Sequence, residues 1–318
     1  MRHGTNACTS PPDAPDGTTP LMRKIWLALG LTGLRVFGFT TDPWLSSDEI
    51  QRVTGEPARV EHAWIAAEDL RVVTWNIERG SAYDAILSVL RNLNADVILL
   101  QEVDRDCRRT GYRNVAQELA EALDMNWVAA GEFQELGEAR RGVPAITGQA
   151  ILSKFAIEDA AGLRFKTQDR WRWSINPVQP RRGGRLALKG RTAGVVFYNT
   201  HIESGGNERL QLRQMDEIVA DSRETTGNTP ILIAGDFNNK PALQSLTLRS
   251  LARASFVDAL GDAEKRGPTS LGQAHAIDWI FAKHTVPVRG RIIDAPKASD
   301  HSPVMAAFGR APSLSAGR

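Results

Sequence analysis

The chain has 318 residues, of which 42% are hydrophobic and 24% are charged, and its formal net charge at pH 7 is +2. This composition indicates a globular protein of one large or two small domains and excludes a fully disordered chain, a collagen and a coiled coil. The near-zero net charge means that any basic surface for nucleic acid must be local. The chain has only two cysteines, Cys8 and Cys107, which excludes a disulfide-rich scaffold and a zinc site built on Cys-x-x-Cys pairs.

The chain is predicted to divide into an extension, a domain and a tail. Residues 1–67 form the N-terminal extension: a proline-rich stretch over 1–20 indicates a disordered leader, and residues 42–67 read as a polar connector with short helical pieces. Residues 68–310 alternate short apolar runs with amphipathic helices, which predicts one α/β domain. Residues 311–318 form the tail.

The extension contains one apolar run, residues 25–39, which Arg35 interrupts. The run is too short and too charged for a transmembrane helix. A packed helix is favoured over an export signal that starts at Met22, because no A-x-A-like cleavage site follows. We therefore expect a cytoplasmic protein, with export or membrane association through residues 22–39 as the alternative.

Within the domain, hydrophobic periodicity predicts seven strands and three helices. The strands are expected over residues 70–75, 96–100, 149–152, 194–199, 230–234, 276–281 and 304–308. The helices are expected to start after Ser81, which is predicted as a cap, and to cover 114–123 and 208–220. No internal repeat is visible.

Polar side chains that can act in catalysis lie at one end of six of these apolar runs. They are Asn76 and Glu78; Gln101 and Glu102; Thr200, His201 and Ser204; Asp236 and Asn238; Asp278; and Asp300 and His301. Strand ends in α/β sheets are where loops converge and sites are assembled. Taken singly, most of these residues are explained as well by a turn or a helix cap. Asp278 is the exception, because an unpaired carboxylate within an apolar strand is costly, and His301 is its candidate partner.

Seven short strings around these residues resemble the endonuclease/exonuclease/phosphatase superfamily. In chain order they are T-W-N-I-E (74–78), L-L-Q-E-V (99–103), G-Q-A-I-L-S (148–153), N-T-H-I-E-S (199–204), G-D-F-N (235–238), I-D-W-I (277–280) and S-D-H-S-P-V (299–304). The superfamily comprises metal-dependent phosphodiesterases and phosphatases. The resemblance implies a four-layer α/β sandwich, in which two mixed β-sheets are flanked by helices.

The resemblance also implies a magnesium site. Glu102 is expected to bind Mg²⁺, with Asn76 beside it and Asp300 contributing. Glu78 is a further candidate ligand, although many relatives have the shorter Asp at this position. Oxygen ligands of this kind suit Mg²⁺ and also Mn²⁺.

The remaining strand-end residues are expected, by the same resemblance, to carry out phosphodiester hydrolysis. Asp236 would orient or deprotonate the attacking water. Asn238 and His201 would hold phosphate oxygens. Asp278 would hydrogen-bond His301 and favour its protonated form, so that His301 can neutralise negative charge in the transition state.

The string T-H-I-E-S is similar to the tyrosyl-DNA phosphodiesterase, sphingomyelinase and deadenylase branches, whereas abasic-site endonucleases typically carry a tyrosine there. Within those branches Ser204 is expected to be a second phosphate donor. Lys240 lies where an arginine follows the G-D-x-N motif and is a candidate substrate contact. Gln149 replaces the asparagine that is usual in G-N-A-I-L-S. Its side chain is longer, so its amide group lies farther from the backbone.

Residues 164–191 contain nine basic residues and only one acid, Asp169, with aromatic residues between them. Basic residues follow a phosphate backbone and aromatic rings stack on unpaired bases, so Trp171, Arg172 and Arg182 are candidate nucleic-acid contacts. The alternative is a solvated loop whose arginines pair with acids elsewhere and whose tryptophans pack on the body of the domain.

The sequence therefore predicts a Mg²⁺-dependent phosphodiesterase that acts on nucleic acid as an endonuclease, an exonuclease or a DNA-end processing enzyme. A phospholipid or sugar-phosphate phosphodiesterase or phosphatase on the same fold is the alternative. A non-catalytic nucleic-acid-binding protein is less favoured, because every residue that the chemistry needs is present. We expect a monomer and infer no protein partner.

Overall fold

A computed structural model describes residues 45–56, 69–169, 180–205, 207–261 and 266–309. All of these residues belong to one compact unit that spans residues 41–318. The predictions made for the leader, the apolar run 25–39, Trp171, Arg172 and the tail lie outside the described ranges. Within those ranges, no helix has the length and apolar character needed to cross a membrane.

Fourteen strands of the described chain form two β-sheets. The order in the first sheet is β1 (Val53–Gly55), β4 (Asn126–Glu135), β5 (Ile146–Ser153), β3 (Val97–Arg105), β2 (Leu70–Arg79), β14 (Val304–Gly309) and β13 (Val286–Ile292), and β7 (Arg181–Gly183) also pairs with β4. The order in the second sheet is β11 (Val257–Asp258), β12 (Asp278–Lys283), β10 (Ile231–Asp236), β9 (Val195–His201), β8 (Leu186–Thr192) and β6 (Glu158–Arg164). Strand β2 is parallel to β3 and β9 is parallel to β10, whereas the other pairs are antiparallel.

The helices cover the outer faces of the two sheets. In chain order, the α-helices of the described residues are α1 (Ser47–Ile50), α2 (Tyr83–Leu93), α3 (Val115–Leu123), α4 (Glu208–Ser222) and α5 (Leu246–Arg253). One apolar core joins α2 and α3 to the first sheet, a second lies between the sheets, and a third joins α4 and α5 to the second sheet. The predicted four-layer α/β sandwich is confirmed.

The seven predicted strands and three predicted helices are all present. The interior strands β4 and β8 were not predicted, because polar residues such as Glu132 and Lys189 interrupt their apolar pattern. The predicted cap Ser81 is wrong: Ala82 is the N-cap of α2 and makes no side-chain cap bond, while the Ser81 hydroxyl donates to the Glu78 carbonyl oxygen. Strands such as β6 and β13 were not predicted, because they are edge strands with exposed polar positions and lack a buried alternating face. Strand β1 lies within the stretch predicted to be a polar connector and pairs with β4.

Two buried amides join the sheets next to the strand ends that carry the polar residues. The Asn199 side chain donates to the carbonyl oxygens of Leu100 (2.8 Å) and Ala150 (2.9 Å), which belong to the opposite sheet. The Gln101 side-chain nitrogen donates to Asn199 Oδ1 (2.6 Å) and to the Thr74 hydroxyl (3.0 Å). Because a buried polar group needs its partners, these bonds fix how one sheet lies on the other.

Asn199→Ala is expected to lower the free energy of unfolding by about 3 kcal/mol, because two buried carbonyls lose their side-chain donor and the Gln101 amide loses one of its acceptors. Urea unfolding followed by circular dichroism measures this change. Asn228→Ala, which truncates an exposed asparagine, is the matched control and should change stability by less than about 0.5 kcal/mol. Equal midpoints for the two variants would contradict a role of Asn199 in joining the sheets.

Candidate active site

Three of the predicted catalytic residues are register neighbours in the second sheet. Asp236, the last residue of β10, lies opposite His201 of β9 and opposite Asp278 of β12. The preceding Gly235 makes this close pairing possible: it has φ +144°, and a Cβ there would lie 1.8 Å from the carbonyl oxygen of Thr200. Any side chain at Gly235 would push β10 away from β9. The sequence G-D therefore places the buried Asp236 carboxylate at the end of β10, between His201 and Asp278.

Asp278 is fully buried and is held by two residues. It accepts hydrogen bonds from the Thr269 hydroxyl (2.6 Å) and from His301 Nδ1 (2.9 Å). The Thr269 oxygen in turn accepts from the backbone N–H groups of Ile277 and Asp278, both at 3.0 Å. The predicted pairing of Asp278 with His301 is present, and Thr269 completes the shell around the carboxylate. Thr269 was not predicted, because a lone threonine before a strand carries no distinctive pattern.

Asp236 is the point where the two sheets meet. Its Oδ2 atom lies 3.3 Å from Asn76 Nδ2 of β2, 3.3 Å from His201 Nε2 and 3.8 Å from His301 Nε2. Its Oδ1 atom accepts from the Asn238 backbone N–H at 3.0 Å. The predicted catalytic residues are thus gathered around one carboxylate that is only 2% exposed.

Burial and neighbouring charges set the protonation of this cluster. Burial, together with repulsion from Asp278, raises the pKa of Asp236 above its ordinary range. Burial alone would lower the pKa of His301, but its ion pair with Asp278 outweighs that effect and raises the pKa to about 10. Burial, reinforced by Arg185, holds the pKa of His201 well below its usual value. At neutral pH His301 therefore carries a positive charge and His201 is neutral.

The first sheet presents its polar residues through irregular backbone. Glu78, Arg79 and Glu102 have positive φ angles of 45°, 69° and 50°, and register shifts interrupt the pairing of β2 and β3 at these positions. Asn238, after β10, also has a positive φ of 45°. Bulges of this kind turn a side chain away from the regular sheet face, and such strained residues concentrate at functional sites.

Of the predicted metal ligands, Asn76 is buried, whereas Glu78, Glu102 and Asp300 are half-buried. Glu102 lies 3.8 Å from the Arg79 Nε atom. The Ser299 hydroxyl bridges the Asn76 carbonyl oxygen (2.7 Å) and Asp300 Oδ1 (3.4 Å), which ties the segment before β14 to β2. These four side chains offer only hard oxygen ligands, as Mg²⁺ requires, and a bound cation would also relieve the repulsion between the buried carboxylates beside them.

Among the described residues, the group of His, Cys, Asp and Glu side chains that satisfies the distances of a metal site is Asp236, Asp278 and His301, with one ligand atom from each residue within 4.8 Å of the others. Its hydrogen bonds favour a different use. Asp278 already accepts from Thr269 and His301, and a protonated His301 has no free lone pair for a metal.

The predicted substrate contacts differ in exposure. Ser204 is exposed, and Lys240 is exposed and lies 3.4 Å from Glu208. Arg182 is half-buried in β7. These three residues lie on separate loops or strands, and only Trp171 and Arg172 fall outside the described residues.

Much of the basic stretch 164–191 pairs with acids, as the alternative interpretation expected. The described pairs are Arg164–Asp48, Arg181–Glu135, Arg185–Glu132, Lys189–Asp221, Arg191–Glu158 and Arg191–Asp159. Of these residues, Arg185 bears on the candidate site. It is buried, lies 3.1 Å from Glu132 and helps to lower the pKa of His201. Gln149 donates to the same Glu132 carboxylate at 3.0 Å. The sequence did not single out Arg185 and Glu132, since neither belongs to a recognisable motif.

Comparison with known proteins identifies the family of the chain. The model of the Endonuclease/Exonuclease/phosphatase family matches residues 73–301. The chain belongs to this family. A search of curated proteins found no match.

Solved structures of the family share the fold at low sequence identity. An endonuclease/exonuclease/phosphatase from Beutenbergia cavernae DSM 12333 is 23% identical with a TM-score of 0.58, and the alignment covers 78% of this chain and 73% of that one. An AP endonuclease from Archaeoglobus fulgidus is 16% identical with a TM-score of 0.52, covering 76% and 100%. D. rerio TDP2, complexed with single-strand DNA product, is 17% identical with a TM-score of 0.51, covering 76% and 99%. At these identities the likeness shows the fold.

Asp278→Asn is expected to lower the pKa of His301. In the native protein the pKa is raised to about 10, chiefly by Asp278, whereas in the variant burial opposes the charged ring and only Asp236 and Asp300 still favour it. NMR titration of ¹⁵N-labelled histidine side chains between pH 5 and 9 measures both states. His301→Gln identifies the signal, and a ring that titrates near pH 6.5 in the native protein would contradict the assignment.

Proposed function

We propose that this family member is a Mg²⁺-dependent phosphodiesterase that acts on nucleic acid. The observation that carries the proposal is the buried contact of Asp236 with a protonated His301, held by Asp278. Phosphodiester hydrolysis needs a base for water and a cation for the developing charge on phosphate, and this pair supplies both within one enclosed site.

The proposed metal ligands are Glu102 and Asn76, with Asp300 and Glu78 at the border of the site. A bound Mg²⁺ ion would neutralise phosphate oxygens and lower the charge barrier to attack. Mn²⁺ has similar ligand preferences and is expected to substitute. The position of these groups supports the assignment. The end of β2, the end of β3 and the start of β14 lie at the same end of three neighbouring strands in the first sheet.

The chain's own residues carry the remaining steps of the proposal. Asp236 would hold the attacking water and accept its proton, and its raised pKa suits that task. His301 would donate to a phosphate oxygen as negative charge grows there. His201 and Asn238 would complete the contacts to phosphate, with neutral His201 acting as a hydrogen-bond donor rather than as a cation. The water oxygen would form the new bond to phosphorus while the bond from phosphorus to the leaving oxygen breaks on the opposite side, and the leaving oxygen would take its proton from solvent.

Two features favour nucleic acid among phosphodiesters. Arg79, the last residue of β2, pairs with Glu102, and Arg181 of β7 interacts electrostatically with Glu102 while it pairs with Glu135, so cationic side chains extend beyond the single scissile phosphate. The neighbours named above include an AP endonuclease and a TDP2 bound to single-strand DNA product. Ser204, Lys240 and Arg182, together with Trp171 and Arg172, are the proposed contacts to the strand.

Purified protein is expected to cleave an end-labelled single-stranded oligonucleotide with Mg²⁺ and not with EDTA. Asp236→Asn should lower kcat by about 10²–10⁴-fold and His301→Ala by about 10²–10³-fold, because one removes the base and the other the cation. Denaturing gel electrophoresis measures the cleavage. Asp84→Asn and His284→Ala change exposed residues of the same types and should retain native rates. Cleavage of bis(4-nitrophenyl) phosphate but not of any oligonucleotide would contradict the nucleic-acid substrate and leave the phosphodiesterase.

Glu102→Gln is expected to raise the Mg²⁺ concentration for half-maximal activity by about 10–100-fold, because one anionic ligand is lost. Glu78→Gln should raise it by less than about 3-fold if Glu78 lies at the border of the metal site. Rates measured over a Mg²⁺ titration separate the two. Equal Mg²⁺ dependence of native protein and Glu102→Gln would contradict the proposed metal site.

A further inference from the structure

The described helices leave a cavity open on the outer face of the first sheet, beside β14 and β13. Helices α2 and α3 pack on this face through an apolar core that includes Val73 of β2. Beyond Leu93, the last residue of α2, lies a cavity of about 360 Å³. The side chains that line it are Arg71, Leu93, Arg289, Arg291, Met305 and Ala307. They combine an apolar floor with a cationic border.

Strand register explains how the arginines come to surround this floor. Across β2, β14 and β13, one row of paired residues is Arg71, Ala307 and Arg289, and the next row is Val73, Met305 and Arg291. Residues that pair across strands project to the same face of a sheet. Because Val73 and Met305 pack in the outer core, both rows project to the outer face. The small Ala307 between two arginines leaves a depression there.

An exposed valine extends the floor along β13. Val286 pairs with Gly309, which is two residues from Ala307 and therefore on the same face. Gly309 has no side chain to cover its neighbour, and Val286 is 65% exposed. We name this apolar and cationic area the β13 surface, and its residues are Val286, Arg289, Arg291, Met305 and Ala307.

The charge of the β13 surface favours an acidic partner. The Arg289 side chain is 72% exposed and lies 3.7 Å from Asp69. Arg291 is exposed and has no ion pair within the described parts of the chain. Residues 283–297, which include β13, contain four lysines and arginines and one acid, Asp294. Opposite charge on a partner would both attract it and fix its orientation.

The edge of β13 is unsuited to the addition of another strand. Pro287 has no backbone N–H, and the register with β14 shifts between Pro287 and Arg289. Prolines, bulges and charges protect an edge strand from pairing, which accounts for arginines on β13 without any partner. It does not account for the depression between them. A partner that fills the depression lies across the face of the sheet, as α2 and α3 do.

We propose that the β13 surface docks an acidic amphipathic helix of a partner protein. Arg289 and Arg291 are two residues apart on a strand, so their Cα atoms are about 6.8 Å apart. Acidic residues four positions apart on a helix are about 6 Å apart along its axis and can pair with both arginines. The apolar side chains of the same helix fill the depression over Ala307, as in other helix-in-groove complexes.

Nucleic acid fits the β13 surface less well, because a phosphate backbone would pair with the arginines but would also cover an apolar floor. The surface is also distant from the proposed active site. Ala307 pairs with Arg71 near the start of β2, whereas Asn76 is five residues farther along the strand, or about 17 Å. The inference therefore goes beyond the proposed function and does not depend on it.

Fluorescence anisotropy with a designed peptide tests the inference. The probe is a labelled peptide of about 16 residues with leucines at helical spacing and glutamates beside them. A second probe has glutamine in place of each glutamate, and the native protein is expected to bind it about 10-fold more weakly. Arg289→Glu/Arg291→Glu should raise the Kd of the glutamate probe about 10-fold, and Val286→Ser should raise it about 3-fold.

The matched control is Arg223→Glu/Arg253→Glu, which changes two exposed arginines beside the second sheet and alters the net charge equally. It should bind the glutamate probe as the native protein does. A third probe, with lysine in place of each glutamate, should bind Arg289→Glu/Arg291→Glu about 10-fold more tightly than the native protein. Circular dichroism checks that each variant is folded.

Three results would overturn the inference: no binding of the glutamate probe to the native protein, equal binding of the glutamate and glutamine probes, or equal weakening by the control variant. A further result would overturn it in favour of nucleic acid. In that case Arg289→Glu/Arg291→Glu would weaken binding of a labelled single-stranded oligonucleotide in EDTA and leave peptide binding unchanged.

Discussion

Two carboxylates, Asp236 and Asp278, are buried side by side at neighbouring strand ends of the second sheet. Burying them costs free energy, and the other residues of the site offset that cost. Because neither can be hydrated, each needs fixed partners. Thr269 and His301 surround Asp278, while Asn76 and His201 approach Asp236. Attraction to Asp278 keeps His301 charged, while burial and repulsion from Asp278 raise the pKa of Asp236. The cost of burying the two carboxylates is therefore met by groups whose protonation is shifted.

The sandwich makes this arrangement possible because strand ends of the first sheet lie next to strand ends of the second sheet. Asn76 belongs to β2 and Asp236 to β10, yet their side chains are 3.3 Å apart. The Asn199 and Gln101 amides fix the distance between the sheets just behind this contact. The site therefore depends on inter-sheet hydrogen bonds as much as on the residues that would touch substrate.

The sequence predicted the parts of the protein whose signal is local. Short apolar runs predicted seven of the strands, and the motif G-D-F-N located Asp236 through the resemblance to the family. The structure adds the reason for the glycine, because a side chain at Gly235 would clash with Thr200. The pairing of Asp278 with His301 followed from the cost of a lone buried carboxylate. Edge strands such as β13 were missed because exposed strands lose the hydrophobic pattern, and Thr269 was missed because a lone threonine before a strand carries no motif. The Arg185–Glu132 pair was missed because its two residues are distant in sequence. Such contacts exist only after the chain has folded.

The central claim is that the cation lies with Glu102 and Asn76, so that Asp236 and His301 remain free for proton and charge handling. Anomalous diffraction from crystals soaked in Mn²⁺ tests this claim most directly, because it locates the ion without reference to activity. The account predicts a peak about 2.0–2.2 Å from a carboxylate oxygen of Glu102. A peak between Asp236, Asp278 and His301 would contradict it, since His301 would then be a neutral ligand rather than a charged donor.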